Sequence, residues 1–256
     1  MKKILNSSKF AMFASIFGCL ILAVFLIFLI FVHGQAESNL GKQQQWASGK
    51  DSFDKAYEIA ASDKDTPDKT LYLPKLVDLF GKTKDAAVDS IGQGASLVSE
   101  TIVGGSKDKI VKEYTYELTN ESSNLKSGAT TVILGVNSSD VVVRTSITCN
   151  TSLLGYRALS FLDLVTNERI VDNTFSEVGL PVDPALIVLP ANSQSYSTYA
   201  SDGTTLLSEK YTFSGTSYVE NAAFYWSSSL LYDYSYANTK GNLADTIRTI
   251  SVNIEK

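Results

Sequence analysis

The chain has 256 residues, 44% apolar and 19% charged, with 27 acidic side chains against 22 basic ones and a net charge of −5. That balance argues against a phosphate-binding surface, and so against a nucleic-acid or nucleotide partner. The sole histidine, His33, removes Ser-His-Asp triads, histidine metal clusters and imidazole acid–base chemistry from the body of the protein, so neither a metal nor a cofactor is expected.

The first element in chain order is an apolar run. Phe10 to Val32 holds no charged residue, and at about 1.5 Å per residue it is long enough to cross the roughly 30 Å hydrocarbon layer as one helix. Lys2, Lys3 and Lys9 precede it and Glu37 follows, so the positive-inside rule predicts a cytoplasmic tail over 1–9, an anchor over 10–32 and an extracytoplasmic body in the cell envelope. Two processing alternatives stand beside a retained anchor. Gly34-Gln35-Ala36 resembles a signal-peptidase site, and Ile16-Phe17-Gly18-Cys19 resembles a lipoprotein box. Cys149 is the one cysteine beyond the anchor, so no disulfide can form within the body.

Residues 33–70 are polar and read as a stalk, with a short helix expected where Phe53, Ala56, Tyr57 and Ala60 recur behind Ser52. Next come helical periodicities, Leu76, Leu79 and Phe80 with Ala86, Ala87 and Ile91, and later Phe161, Leu164, Val165, Val171, Phe175 and Val178. Gly92 and Gly179 stop them. Strand patterns follow each, punctuated at Gly104-Gly105, Asn137-Ser138-Ser139-Asp140 and Asp202-Gly203. Three pairs of short tags recur in order: Asp78-Leu79 followed by Gly94 with Asp163-Leu164 followed by Gly179, Tyr114-Thr115-Tyr116 with Tyr211-Thr212-Phe213, and Val143-Arg144-Thr145 with Ile247-Arg248-Thr249. The reading is a duplicated α+β architecture over 71–152 and 153–256, each unit a helix or helix pair on an antiparallel sheet of about four strands. One mismatch needs a bulge or a one-residue slip: alternation sets Arg144 with Ser146 and Thr148 but Arg248 with Ile250 and Val252.

Gly81-Lys82-Thr83-Lys84-Asp85, with Ile91-Gly92 closing the helix, resembles the G-M-T-K-D…L-G helix start of outer-membrane assembly lipoproteins of the SmpA/OmlA type. The β-lactamase inhibitory proteins are related to these and use tandem copies. The resemblance implies a helix pair on a four-stranded antiparallel sheet over roughly 70–256. Lys82 stands where the family has Met, and Thr166-Asn167-Glu168-Arg169 in the second copy lacks the motif, so no binding residue transfers.

Other chemical motifs fail on context. Gly81-Lys82-Thr83 lacks the strand that precedes a phosphate loop, and Gly92-Gln93-Gly94 lacks the third glycine of a dinucleotide fingerprint. Ser123-Asn124-Leu125-Lys126 sits in a polar loop, while Asp63, Asp65 and Asp68 carry Pro67 at a calcium-ligand position. Cys149 reads as a buried strand residue. What remains is aromatic crowding between Tyr196 and Tyr236. Tyr232, Tyr234 and Tyr236 alternate as a row on one strand, and the binding site expected from them is a solvent-facing aromatic sheet face that takes a protein partner. The function expected is a membrane-anchored, non-enzymatic protein-binding module. The alternatives are a carbohydrate-active enzyme using a carboxylate pair such as Asp172 and Glu177, or a passive structural protein.

Overall fold

In the structure, a computed structural model, residues 68–103, 110–119, 128–157 and 159–256 are described. The expected anchor, the stalk helix and the Gly104-Gly105 and Ser123–Lys126 loops lie outside them. No helix among the described residues is long and apolar enough to cross a membrane.

The protein is α+β, built on one antiparallel sheet of eight strands. A 3-10 turn, Leu76–Leu79, leads into helix α1, Lys84–Ile91, and then into β1 (Ser96–Ile102), β2 (Lys112–Leu118), β3 (Thr130–Val136) and β4 (Val142–Asn150). Helices α2 (Phe161–Thr166) and α3 (Ile170–Glu177) lead into β5 (Ser197–Tyr199), β6 (Leu206–Val219) and β7 (Ala222–Asp233), then helix α4 (Ser235–Lys240) and β8 (Ile247–Glu255). The spatial order is β1-β2-β3-β4-β8-β7-β6-β5. Two four-strand meanders therefore run inward from the two edges and meet where β4 pairs with β8, from Arg144 opposite Glu255 to Asn150 opposite Thr249. The separate sheet expected for each unit is thus half of a common one.

Local chemistry sets the helix starts. Gly81 takes φ +80°, a left-handed conformation that costs a residue without Cβ little, and the Thr83 hydroxyl then caps α1 by accepting from Ala86 N–H at 3.5 Å. At α2 the Ser160 hydroxyl accepts from Asp163 N–H at 3.1 Å and donates to the Asp163 carboxylate at 2.8 Å. Hairpin turns follow equally local rules. Asn137 Oδ1 accepts from the Ser139 and Val141 amides at 2.9 and 3.1 Å, and Asp202 Oδ1 accepts from Thr204 and Thr205, both at 2.9 Å. Between β6 and β7 the two-residue loop Glu220-Asn221 has φ +48° and +67°, the primed turn that matches strand twist.

Alternation divides each strand between two faces. The inner face buries Tyr114, Tyr116, Val132, Leu134, Ile147, Cys149, Ile250, Val252, Ile254, Phe213, Trp226, Leu230 and Tyr232. Against them lie Leu76, Leu79, Ala87 and Ile91 from the first half and Phe161, Leu164, Val171 and Phe175 from the second, in one continuous core. Ring contacts tie the layers, with Phe175 at 4.8 Å from Trp226 and Phe161 at 5.4 Å from Tyr232. The Arg144 and Arg248 mismatch has its cause in a β-bulge. Val136 pairs with Val142 and Gly135 with Arg144, so Val143 is the extra residue and Arg144 is turned outward, while Arg248 faces in.

The row expected from Tyr232, Tyr234 and Tyr236 does not form. β7 ends at Asp233, whose carboxylate accepts from Ser235 N–H at 2.8 Å and turns the chain into α4. Tyr232 and Tyr234 are fully buried, whereas Tyr236 lies on α4 and is half exposed. Tyr232 donates to the Leu159 carbonyl at 3.1 Å and Tyr234 to the Glu209 carboxylate at 2.5 Å. The inner face needs aromatic bulk to meet the helices, which is where the crowded rings go.

Gly215 faces Trp226 across β6 and β7, and a Cβ there would stand 2.7 Å from Trp226 Cζ2 and 2.8 Å from Leu186 Cδ1. Gly215→Ala is expected to destabilise the fold by about 1–3 kcal/mol through overpacking, read as a lower urea midpoint. Truncating Tyr232 to Ser should cost about 3–5 kcal/mol, as large-to-small aromatic changes in cores do. The same urea titration will show whether Tyr236→Ser, by contrast, leaves the midpoint within about 0.5 kcal/mol of the parent.

Candidate functional site

The chemical groups singled out in the sequence are dispersed and occupied. Asp172, in the first turn of α3, is ion-paired with Arg169, the residue just before that helix. Glu177 binds Lys69 at 2.7 Å and accepts from Leu73 N–H at 2.9 Å. Each carboxylate therefore has its own cationic partner in a structural role. Gly81-Lys82-Thr83 forms the turn into α1, with Lys82 donating to the Ser90 hydroxyl at 2.8 Å. Among the described residues no group of three or more histidine, cysteine or carboxylate side chains is placed to hold a metal ion. Cys149 is buried in β4, and burial pushes its thiol up to about 12.

The sheet's outer face is different. No described element covers it. Apart from Gly135, over which Ile110 and Arg144 lie, the rank residues named below are half-buried or exposed, and across the strands they fall into ranks of directly opposed side chains. One rank runs Ser99, Thr115, Ile133, Ser146, Asn253, Ser227 and Ser214 over β1, β2, β3, β4, β8, β7 and β6. It contains no charge. The adjacent rank runs Thr131, Thr148, Ser251, Ser229 and Thr212, with Glu117 at its β2 end. Within it Thr148 and Ser251 share a hydroxyl hydrogen bond of 2.8 Å, and Thr212 donates to Ser229 at 3.2 Å.

A third rank bounds the array on its other side, with Glu113, Gly135, Arg144, Glu255, Tyr225 and Thr216 in order. Arg144 crosses over Gly135, where a Cβ would come 3.0 Å from its own Cβ, to donate to Glu113 at 2.6 Å. Its Nε lies 3.5 Å from Glu255, an ion-pair separation without hydrogen-bond geometry. The guanidinium is thereby neutralised from both sides. Tyr225, at 63% exposure, belongs to this rank, and Tyr218, at 71%, stands diagonally from it on β6 opposite Ala223. These are the exposed tyrosines of the outer face. Aromatic density in the sequence does not mark exposure, because much of the dense stretch is packed beneath the helices.

Comparison with known protein families, curated proteins and solved structures finds no match. The outer face therefore has to be read from its own chemistry, as a surface no described element covers, with many hydroxyl groups in its middle, charges toward its margins and two exposed rings.

A thiol raised by burial ionises only when the strand opens, and its ionisation favours the unfolded chain once pH rises above the ordinary thiol value of about 8.5. Iodoacetamide at about pH 8 should therefore leave the Cys149 peptide unlabelled in the native protein and label it fully in denaturant, as peptide mass mapping will show.

Proposed function

We propose that this protein is a non-enzymatic binding module of the cell envelope, tethered by residues 10–32 with its body extracytoplasmic, and that the uncovered outer sheet face is its binding surface. One observation carries the reading: a rank of seven strands without a single charged side chain, on a face that no described element covers. Solvated faces of antiparallel sheets need only be polar, and Lys and Glu are the usual means. Here the positions of that rank are instead held mostly by short side chains with little rotamer freedom to lose on binding.

The same proposal includes duplication. Both halves run helical segment then four-strand meander. The tags fall on matching elements, with Tyr114 and Tyr116 on β2 against Tyr211 and Phe213 on β6, all facing inward, and the third pair on β4 and β8. The halves then relate by a twofold operation through the β4–β8 pair, and the bulge at Val143 accounts for the one tag whose members face opposite ways. Doubling a four-strand unit doubles the width of the face.

The test uses a photoreactive phenylalanine analogue at position 225 or 218 of the full-length protein in its own membrane. Irradiation should yield an adduct with an envelope component from both positions. Position 72, also exposed (67%) but on the helical side, serves as the control. Adducts of equal yield from position 72, or none from 218 and 225, would refute the assignment of the face.

A further inference from the structure

We infer that the ligand of the outer face is an uncharged polysaccharide lying across the strands, along the hydroxyl ranks. The inference rests on the reading of that face as the binding surface and adds the chemical class of what binds.

Charge complementarity is the first ground. The two inner ranks from β3 to β6 carry Ser, Thr, Asn and one Ile but no ionisable side chain; of the cations at their margins, Arg144 is held between Glu113 and Glu255 and Lys210 stands opposite Leu231 beyond Thr212 on β6. A phosphate-rich, acidic or basic ligand finds no unpaired counter-charge in the middle of the face, and burying its own charges there would be costly. An uncharged ligand incurs no such cost.

Hydrogen-bonding capacity is the second. Each Ser or Thr hydroxyl can donate once and accept twice, and the Asn253 amide offers both donors and acceptors. After the bonds between Thr148 and Ser251 and between Thr212 and Ser229, capacity remains toward solvent along both ranks. A polyhydroxylated chain presents the same mixture. Neighbouring strands repeat every ~4.8 Å, and ranks stand ~6.8 Å apart along a strand. The first repeat is close to the length of one sugar ring along an extended polysaccharide, so successive residues of such a chain meet successive strands in like surroundings.

Third, the exposed rings sit at the side of the array. Tyr225 shares its rank with Glu255 and its strand with Ser227 and Ser229, and Tyr218 lies on the next strand. Such rings offer apolar faces to the C–H surfaces of sugars and polar tips to their hydroxyls. A protein partner fits less well. Protein interfaces concentrate affinity in a desolvated apolar centre, and the centre of this face is hydroxylated.

The experiment uses the full-length protein in a detergent without a sugar headgroup, incubated with suspensions of insoluble cellulose, chitin or β-1,3-glucan. Depletion from the supernatant by at least one of them is expected, unchanged at about 1 M salt, where exposed ionic attraction is screened. Tyr218→Ala with Tyr225→Ala should weaken retention about tenfold or more. Thr148→Val with Ser251→Ala, which removes hydroxyls while keeping the sheet, should weaken it also. Circular dichroism melting checks that both variants fold. No retention on any of the three, retention that salt strips, or retention indifferent to both variants overturns the inference. If retention fails while positions 218 and 225 still crosslink to a protein, only the ligand class falls. If both experiments fail, so does the face.

Discussion

The antiparallel pairing of β4 with β8 is the contact on which the rest of the structure depends. Each meander alone is four strands with one face partly covered, and its innermost strand would end in a row of unpaired backbone donors and acceptors. Joining the two strands from Arg144–Glu255 to Asn150–Thr249 satisfies both rows at once. It also aligns the helical segments of both halves over the same side, so that Ile147, Val252, Phe175 and Leu164 share a core, and it leaves the opposite side continuous across the junction.

From that pairing follows a strict division of labour between faces. Strand side chains alternate with period two, and only one face meets helices. Large rings are therefore concentrated inward, where Phe161, Phe175, Trp226 and Tyr232 interlock. Tyrosine is tolerated in this core because its hydroxyl finds a partner, the Leu159 carbonyl for Tyr232 and the Glu209 carboxylate for Tyr234. Outward positions carry no packing demand. Their composition is set by solvent and by whatever the face meets, which makes the two uncharged ranks between the charged margins the informative part.

The elements whose determinants are local were legible in the sequence. Thr83 and Ser160 start helices as hydroxyl caps should, Gly92 and Gly179 close them, and Asn137 and Asp202 make the turns their side chains allow. Non-local features were not legible. That the two meanders would share one sheet depends on which edges meet, and the ranks exist only after seven strands separated by more than 150 residues are set side by side. The tyrosine row was misplaced for a local reason that periodicity does not register: Asp233 accepts from Ser235 N–H and turns the chain into a helix, so the alternation that holds to Tyr232 stops before Tyr234.

The two outer edges of the sheet bear on how such a surface can be used. β1 is exposed along its whole length, with Leu97, Val98 and Ile102 open to solvent, and β5 has only three residues. Both are irregular at the margin. The β1 register shifts between Leu97 and Ser99, and the β5 register shifts between Thr198 and Tyr199. Bulges and short lengths interrupt the regular ladder that an added strand would need, and Glu100 on β1 is engaged by Lys112 at 2.8 Å. The bulge in β1 and the brevity of β5 make each edge an irregular template for an added strand. On the proposed reading, contact with another molecule falls to the broad face, where the uncharged hydroxyl ranks would favour a long ligand bound weakly at each strand and firmly over many.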